Sequence, residues 1–431
     1  IPVMSIEKDI PELVEAGVIS PETAERIRSY YVDKHTPFSP LFIVFGIIGA
    51  ILVGLGIILI IAHNWDTLSL DIKTTLAFLP LVSGQLVCVY ALLKKTDNRG
   101  WREGGATFLV FAVGACMALI SQIYHIPGEL DAFMLSWLLL ILPLPYIMRS
   151  TVASLLYIVG AAFFAADTGY WYTTDLQPDI YWLLLLGILP YYYWLAVQKP
   201  GSNSISFHNW LIPVSVLIAL GTLAHRAEEF MFIAYFSLFG LFYLIGSLEF
   251  FEKKHPAGNG YRILGATGTT ILLLVLSFDW FWEDLRSDYL NTDELIGSTE
   301  FWVSGLLSIM ALVLLIRMIR INPLVSLSTS PIAFIFLLFI PTFIIGLFSS
   351  FAVVLVNCCV LLVGIMTLRN GIRQDHLGLL NYGLLIISIL AICRFFDRDL
   401  SFVARGILFV SVGVGFFLVN YYTLKKRRHE N

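Results

Sequence analysis

The sequence has 431 residues, of which 58% are hydrophobic and only 13% are charged. Soluble domains carry about 25% charged residues, so charges this few could not cover a soluble surface. The apolar residues form repeated runs of about 17–25 residues, the length needed to cross a hydrocarbon core. The five cysteines all lie inside such runs, which excludes an outward-facing disulfide framework. The composition therefore predicts an all-α fold, a polytopic transmembrane helix bundle.

Fourteen spans are predicted, a count that fits the charge distribution examined below. They cover residues 41–63, 73–93, 105–125, 131–148, 151–166, 180–197, 209–224, 229–249, 262–278, 301–317, 325–347, 350–368, 377–393 and 402–421. The run from Ile321 to Leu368 contains no charged residue and is long enough for two spans, with a turn predicted at Gly346–Phe351. We divide the chain into a cytosolic helical hairpin (1–40), an N-terminal transmembrane module (41–250) and a C-terminal transmembrane module (251–431).

The distribution of lysine and arginine predicts the topology. With the N-terminus inside, thirteen basic residues lie in the inner loops and six in the outer loops, which follows the positive-inside rule. The C-terminal segment LKKRRHEN (424–431) is also basic. Both termini are therefore predicted to be cytoplasmic.

The leader before the first span is predicted to form two short helices. Gly17 is expected to end the first helix, and Ser20 to cap the second, with Pro21 in its first turn. Residues 4–40 contain seven acidic and four basic residues, so nucleic acid is not an expected partner. A packing or docking role in the cytosol is expected instead.

Small residues recur along the first predicted span. Gly46, Ala50 and Gly54 are spaced by four, which places them on one helix face and lets two backbones approach closely. This stripe suits a contact within the chain or a contact between two copies, so a homo-oligomer is one candidate assembly.

No Asp, Glu, Lys or Arg lies near the middle of any predicted span. Proton relays usually keep such a residue at mid-membrane, because an ionisable group there is costly and therefore functional. This absence weighs against an antiporter built on a buried carboxylate. It leaves open a site in the outer half, a lipid pathway between helices or a pore lined by neutral polar groups.

Three polar breaks share the predicted outer face, and together they form the candidate substrate-binding site. They are His63, Asn64 and Trp65 after the first span, Gln122, Tyr124 and His125 at the end of the third, and Arg394, Asp397 and Arg398 after the thirteenth. Each break alone is also typical of a helix end anchored at the headgroups. If they converge, the arginines could hold a phosphate and the histidines could exchange protons. No motif supports a metal site, and no cofactor is expected.

Several segments resemble a family of bacterial polytopic membrane proteins known only as a domain of unknown function. They are ELVEAGVISPETAERI (12–27), IIAHNWDTL (60–68) and QIYHIPGELDAFMLSW (122–137). The segment RFFDRDLSFVARGILFVSVG (394–413) resembles a second uncharacterised membrane module that is often fused to that family. The resemblance implies a bacterial inner-membrane protein with a small membrane-anchored partner, and it assigns no chemistry to any residue.

Three functions fit these observations. We favour a transporter, channel or lipid translocator with a polar site near the outer, periplasmic face, since little of the chain lies outside the predicted spans. The alternatives are a membrane scaffold or sensor with a cytosolic docking hairpin, and an integral-membrane enzyme acting on a lipid-linked substrate. An enzyme is the less favoured class, because neither a phosphate loop nor a nucleophile elbow is present. Membrane lipids are expected partners in every case.

Overall fold

The structure is a computed structural model. It describes residue 10 and residues 13–34, 65–171, 177–252, 258–287, 296–321, 327 and 329–395, together with scattered positions between 403 and 417. The chain divides into two compact units, residues 1–76 and 77–431.

The first unit contains the predicted leader motif. Gly17 has a φ of +70°, the left-handed conformation in which glycine ends a helix at no steric cost. The hydroxyl of Ser20 accepts a hydrogen bond from the backbone N–H of Thr23 at 3.2 Å, and helix α1 (Pro21–Lys34) begins at the next residue. The predicted helix end at Gly17 and the predicted cap at Ser20 are confirmed.

A series of helices follows, and all the regular structure in the described residues is helical. The helices are α2 (Leu70–Lys94), α3 (Arg99–Ile123), α4 (Leu130–Ile141), α5 (Pro143–Met148), α6 (Thr151–Ala166), α7 (Ile180–Gln198), α8 (Asn203–Gly221), α9 (Met231–Gly246), α10 (Gly260–Val275), α11 (Asp279–Ser287), α12 (Thr299–Ile321), α13 (Ile332–Gly346), α14 (Phe351–Arg373) and α15 (Leu377–Phe395).

The bundle has the character of a membrane protein. Among the described residues, ten helical segments are long and apolar enough to cross a membrane, and α10 and α13 are shorter apolar helices. The predicted all-α transmembrane bundle is therefore confirmed, and so is the turn between Gly346 and Phe351. Each of the twelve predicted spans between residues 73 and 393 overlaps a helix in the described residues. The spans 41–63 and 402–421, with the stripe at Gly46, Ala50 and Gly54, lie outside the described residues, so the count of fourteen stays a prediction.

Helix boundaries differ from the predicted ones at several spans, and three of these differences have a clear local cause. The span 151–166 continues through a π-helical turn, Asp167–Trp171. The span 209–224 begins six residues earlier, at Asn203, where Ser202 caps α8. The span 131–148 is broken near Pro143, whose ring cannot continue a hydrogen-bonded helix. Hydropathy locates apolar stretches, whereas helix ends are set by capping groups and by proline.

Helix α9 joins two apolar clusters in the second unit. One of its faces, with Leu238 and Phe242, packs in a cluster with helices of the N-terminal part. The other face, with Phe236 and Leu244, packs in a cluster with helices that follow it in the chain. Phe236 stacks on Phe339 with 3.7 Å between the ring centroids. The predicted boundary between the two transmembrane modules at residue 250 stays a prediction. Helix α9, which lies just before this boundary, packs in both clusters.

Helices α9 and α10 approach each other closely at Gly265. A Cβ atom placed on Gly265 would lie 2.5 Å from the backbone nitrogen of Tyr243 and 2.6 Å from the carbonyl oxygen of Phe239. Both neighbours are backbone atoms, so they cannot turn away as a flexible side chain could. Only glycine allows the two helices to pack at this distance.

We predict that Gly265→Ala destabilises the protein by about 1–3 kcal/mol, the usual cost of overpacking a tight contact. Gly305→Ala on α12 is the matched control, because nothing lies within 4 Å of the Cβ that it adds. Thermal unfolding in detergent should show a lower melting temperature for the first variant and an unchanged or higher one for the second. Equal melting temperatures would contradict the close approach of α9 and α10.

Candidate functional site: a buried carboxylate pair

Three carboxylates are buried at one end of the second unit, which we call the acidic end. They are Asp131 in the first turn of α4, Asp167 directly after α6 and Glu300 in the first turn of α12, and each is at most 3% exposed. Carboxylates are rarely buried this fully unless they are paired. The partners of each carboxylate therefore decide whether its charge is stabilised.

Glu300 has partners for its charge. Its Oε1 atom accepts hydrogen bonds from the backbone N–H groups of His225, Arg226 and Ala227 at 2.5, 2.6 and 3.2 Å. The hydroxyl of Ser304, one helical turn further on, donates to the carbonyl of Phe230 at 2.8 Å. Together these bonds fix the connection between α8 and α9 to the start of α12. Glu300 is thus a structural carboxylate.

Asp131 and Asp167 have far fewer hydrogen-bond donors around their carboxylates than Glu300 has. The Asp131 carboxylate accepts a hydrogen bond from the N–H of the adjacent residue, Ala132, at 2.6 Å. Within the part of the chain that the structure describes, no hydrogen bond or ion pair reaches the carboxylate of Asp167. Asp131 lies within electrostatic range of Asp167, and the two negative charges would repel each other. Two acids on different helices are therefore electrostatically coupled at this end.

A π-helical turn places Asp167 at this site. The hydroxyl of Thr168 donates to the carbonyl of Phe164 at 2.8 Å, and the hydroxyl of Tyr170 donates to the carbonyl of Ile218 on α8 at 2.8 Å. The first bond joins the widened turn to α6, and the second holds it against the neighbouring helix α8. Such π-helical turns are rare and are frequently found at functional sites.

Gly169 sets the position of this turn. A Cβ atom on Gly169 would collide with the side chain and the Cα atom of Thr222, just after α8. Glycine therefore allows the turn to lie directly on the end of α8. Gly169 is a positioning residue for the neighbouring carboxylate of Asp167.

The helix dipoles act on the two acids in opposite directions. Asp131 lies in the first turn of α4, where the partial positive charge of a helix N-terminus favours a carboxylate. Asp167 follows the last residues of α6, where the partial negative charge of a helix C-terminus disfavours one. The pair is therefore electrostatically asymmetric.

The opposite end of the second unit, the basic end, contains a second buried polar cluster. Glu103 accepts hydrogen bonds from the hydroxyl of Ser150 at 2.5 Å and from the N–H groups of Thr151 and Val152 at 3.0 Å each. It thereby caps the N-terminus of α6, and we assign it a structural role.

His208 is fully buried in the same cluster. Its Nε2 lies 2.7 Å from the hydroxyl of Ser154, and its Nδ1 lies 2.8 Å from the carbonyl oxygen of Ser204. Since both ring nitrogens have partners, this histidine joins α6 to α8. It has no ring nitrogen left for a ligand.

The residues of the predicted site have the following positions. Gln122, Tyr124 and His125 are exposed at the end of α3. His125 has a φ of 51°, and the N–H of the next residue, Ile126, donates to the carbonyl of Ser121 at 2.9 Å. This is the Schellman arrangement that ends a helix, with a histidine in the place where glycine is usual.

The other two breaks are described only in part. In the first unit, Trp65 opens a short 3-10 turn, and the ammonium group of Lys73 lies 5.7 Å from the centroid of its ring. The guanidinium of Arg394 lies 4.5 Å from the ring of Phe278 and donates to the hydroxyl of Ser277 at 3.1 Å. His63, Asn64, Asp397 and Arg398 lie outside the described residues. The convergence of the three breaks stays a prediction.

The sequence analysis missed Asp131, Asp167, Glu300, Glu103 and His208 because each lies at or beyond the edge of a predicted span. Nothing in the residue pattern shows that α6 continues as a π-helical turn. One usable signal was present: acidic residues at positions 131 and 167 border two predicted spans at their outer ends. Among the described residues, no group of three or more His, Cys, Asp or Glu side chains could hold a metal ion.

Residues 11–154 match the model of a family described as "Predicted membrane protein (DUF2157)". The match covers about a third of the chain, including Glu103 and Asp131, and ends before Asp167. The resemblance of the N-terminal region to a domain of unknown function is thus confirmed, while the second module stays a prediction. No curated protein and no solved structure matches the chain.

The contrast between Asp167 and Glu300 predicts opposite effects of removing their charges. Glu300→Gln should cost about 1–3 kcal/mol, because three buried N–H groups lose a charged acceptor. Asp167→Asn should leave the melting temperature unchanged, and should raise it at mildly alkaline pH, because it removes the cost of an uncompensated buried charge. Thermal unfolding of both variants and the wild type tests this. A drop in melting temperature for Asp167→Asn as large as that for Glu300→Gln would show that Asp167 is structural.

The left-handed backbone at His125 predicts a second contrast. His125→Gly should leave the free energy of unfolding unchanged or raise it, because glycine adopts this conformation freely. His125→Val should lower it by about 1–2 kcal/mol, because a β-branched residue is strained there. The melting temperatures of the two variants check this. If His125→Gly is the less stable variant, the imidazole makes a contact that the helix end alone does not explain.

Proposed function

We propose that this chain is a membrane transporter in which Asp131 and Asp167 form a proton-coupling site at the acidic end. The observation that carries the proposal is the carboxylate of Asp167, which is 2% exposed, accepts no hydrogen bond within the described residues and lies within electrostatic range of a second acid. A stable structural site would have supplied it with donors, as Glu300 has. Ionisable groups retained at such cost in a membrane helix bundle are usually functional.

The proton is assigned to Asp167 on electrostatic grounds. Two carboxylates that share a buried site cannot both ionise without strong repulsion. The N-terminal dipole of α4 favours the charge on Asp131, and the C-terminal dipole of α6 opposes the charge on Asp167. We therefore assign the proton of the closed site to Asp167.

Loss of that proton would drive α4 and α6 apart at the acidic end. The two acids lie on different helices, so their repulsion acts directly between α4 and α6. Protonation restores attraction, since a carboxylic acid can donate to a carboxylate. A change of charge thereby biases two arrangements of packed helices, which is the general basis of a proton-operated switch.

We place the protein in the bacterial inner membrane with both termini in the cytoplasm, so that the acidic end faces the periplasm. The excess of basic residues in the predicted inner loops supports this orientation. In this orientation the carboxylate pair lies on the side where protons enter. The polar breaks at His125 and Arg394 would lie on the same side.

The transporter proposal predicts that Asp167→Asn abolishes proton-coupled transport. Wild-type protein and variants are reconstituted in liposomes with a trapped pH-sensitive dye, and a panel of cationic, neutral and anionic amphiphiles is added. With wild type, at least one class should move protons, and with Asp167→Asn the proton movement should fall to the level of empty liposomes. Asp97→Asn is the matched control, because Asp97 is exposed at the basic end.

Infrared spectroscopy reads the same site without a transported substrate. A film of wild-type protein should show the carbonyl band of a protonated carboxyl group, and the band should disappear in Asp167→Asn but persist in Asp97→Asn. Identical bands in wild type and Asp167→Asn would overturn the assignment of the proton. If the band disappears as expected while no class of amphiphile moves protons in the liposome experiment, that combination would favour a sensor over a transporter.

A further inference from the structure

A cleft opens at the basic end between α9, α10, α12, α13 and α14. Its volume is about 870 Å³, and its polar lining includes Ser247, Arg262, Arg317, Ser330 and Gln374. The cleft lies at the opposite end of the bundle from the carboxylate pair.

Two guanidinium groups from different helices line this cleft. Arg262 extends from the first turn of α10, with its guanidinium 5.6 Å from the ring centroid of Tyr243, and Arg317 lies in the last turns of α12. Both side chains are exposed, and within the described part of the chain neither is paired with a carboxylate. Glu249 also lines the cleft, so its net charge is +1. Two arginines in one cleft suit an anion that can accept several hydrogen bonds, and phosphate is the anion best matched to the guanidinium fork.

The cleft continues onto an exposed apolar face of α12. Helix α12 is the least buried of the ten long segments. Leu306, Ile309, Val313 and Ile316 follow one another at helical spacing and are 59, 61, 61 and 42% exposed. A second, smaller cavity of about 470 Å³ lies along this face, and it shares Arg317 and Ile321 with the cleft.

The length of this face suits a lipid chain. From Leu306 to Arg317 the helix rises by about 16 Å, at about 1.5 Å per residue. That distance is close to half of a hydrocarbon core about 30 Å thick, which is the depth of one leaflet. Arg317, Arg320 and Ile321 lie at the end of the face, where a headgroup would be.

We propose that this cleft binds an anionic phospholipid, with the headgroup phosphate between Arg262 and Arg317 and an acyl chain along α12. Basic pockets between membrane helices are known to hold anionic headgroups. A free phosphate would use only the two arginines, whereas a lipid would also cover the apolar face. The continuous path from the guanidinium groups to that face therefore favours the lipid. Bound there, it would fill the space between α12 and the helices around the cleft.

Native mass spectrometry of the full chain in mild detergent tests the proposal. The wild type is titrated with phosphatidylglycerol, with phosphatidylcholine and with inorganic phosphate. We expect retention of phosphatidylglycerol, and binding on the order of tenfold weaker for Arg262→Gln/Arg317→Gln, since the charge-assisted bonds are lost. Arg369→Gln/Arg373→Gln is the matched control: it removes two exposed arginines at the same end that line neither cavity, and it should bind as the wild type does.

Thermal unfolding with the same three additives provides the second measurement. Phosphatidylglycerol should raise the melting temperature of the wild type and of the control, but not that of Arg262→Gln/Arg317→Gln. If that variant does not fold, Arg317→Lys keeps the charge without the fork and should bind the lipid with reduced affinity. Equal binding of both lipids, unchanged binding in the double variant, or stabilisation by inorganic phosphate alone would overturn the lipid site. None of these outcomes bears on the carboxylate pair.

Discussion

A polar group buried in this bundle must find its partner within the protein, because hydrocarbon supplies neither donors nor acceptors. Several buried polar groups in the described part of the chain meet this requirement. Glu103 and Glu300 accept backbone N–H groups at helix starts and connections, and His208 uses both ring nitrogens. The amide of Asn259 donates to the carbonyl of Gly246 at 2.7 Å. Among the three most deeply buried carboxylates of the described residues, Asp167 differs from the others, since it accepts no hydrogen bond and lies within electrostatic range of another acid.

Helix α6 combines both situations in one element. Its N-terminus is held by Glu103 through three hydrogen bonds and by the contact between Ser154 and His208. Its C-terminus widens into the π-helical turn that carries Asp167. The two ends of α6 are therefore held in different ways: the N-terminus by a cluster of hydrogen bonds at the basic end, and the C-terminus by the contacts of the π-helical turn with α8.

Helix α9 connects the two candidate sites structurally. It forms most of the segment with the largest buried share among the ten long apolar segments of the described residues, and it packs against α10, α12 and α13. Near its start, Tyr235 interacts with Tyr170 of the turn that positions Asp167. Near its end, Tyr243 contacts Arg262 in the cleft at the basic end. A displacement of α9 would change the contacts at both ends of the bundle. Helix α10 would have to move with α9, because the two backbones are already in close contact at Gly265.

The sequence was sufficient for whatever depends on composition and local capping. Runs of apolar residues located the twelve described spans, and Gly17 and Ser20 identified a helix end and a helix start.

The sequence was not sufficient for Asp167, because hydropathy ends the span at residue 166 and only tertiary contacts at Gly169 and Tyr170 extend it. The pairing of Asp167 with Asp131 depends on how α4 packs on α6, which no local pattern encodes. The absence of charge at mid-span, which weighs against an antiporter built on a buried carboxylate, does not reveal these residues, because the burial of a carboxylate also depends on the helices packed around it. The helix dipole favours a negative charge at an N-terminus and disfavours one at a C-terminus. Two aspartates placed at one end of each kind therefore differ in their preference for charge, which biases the pair towards one shared proton.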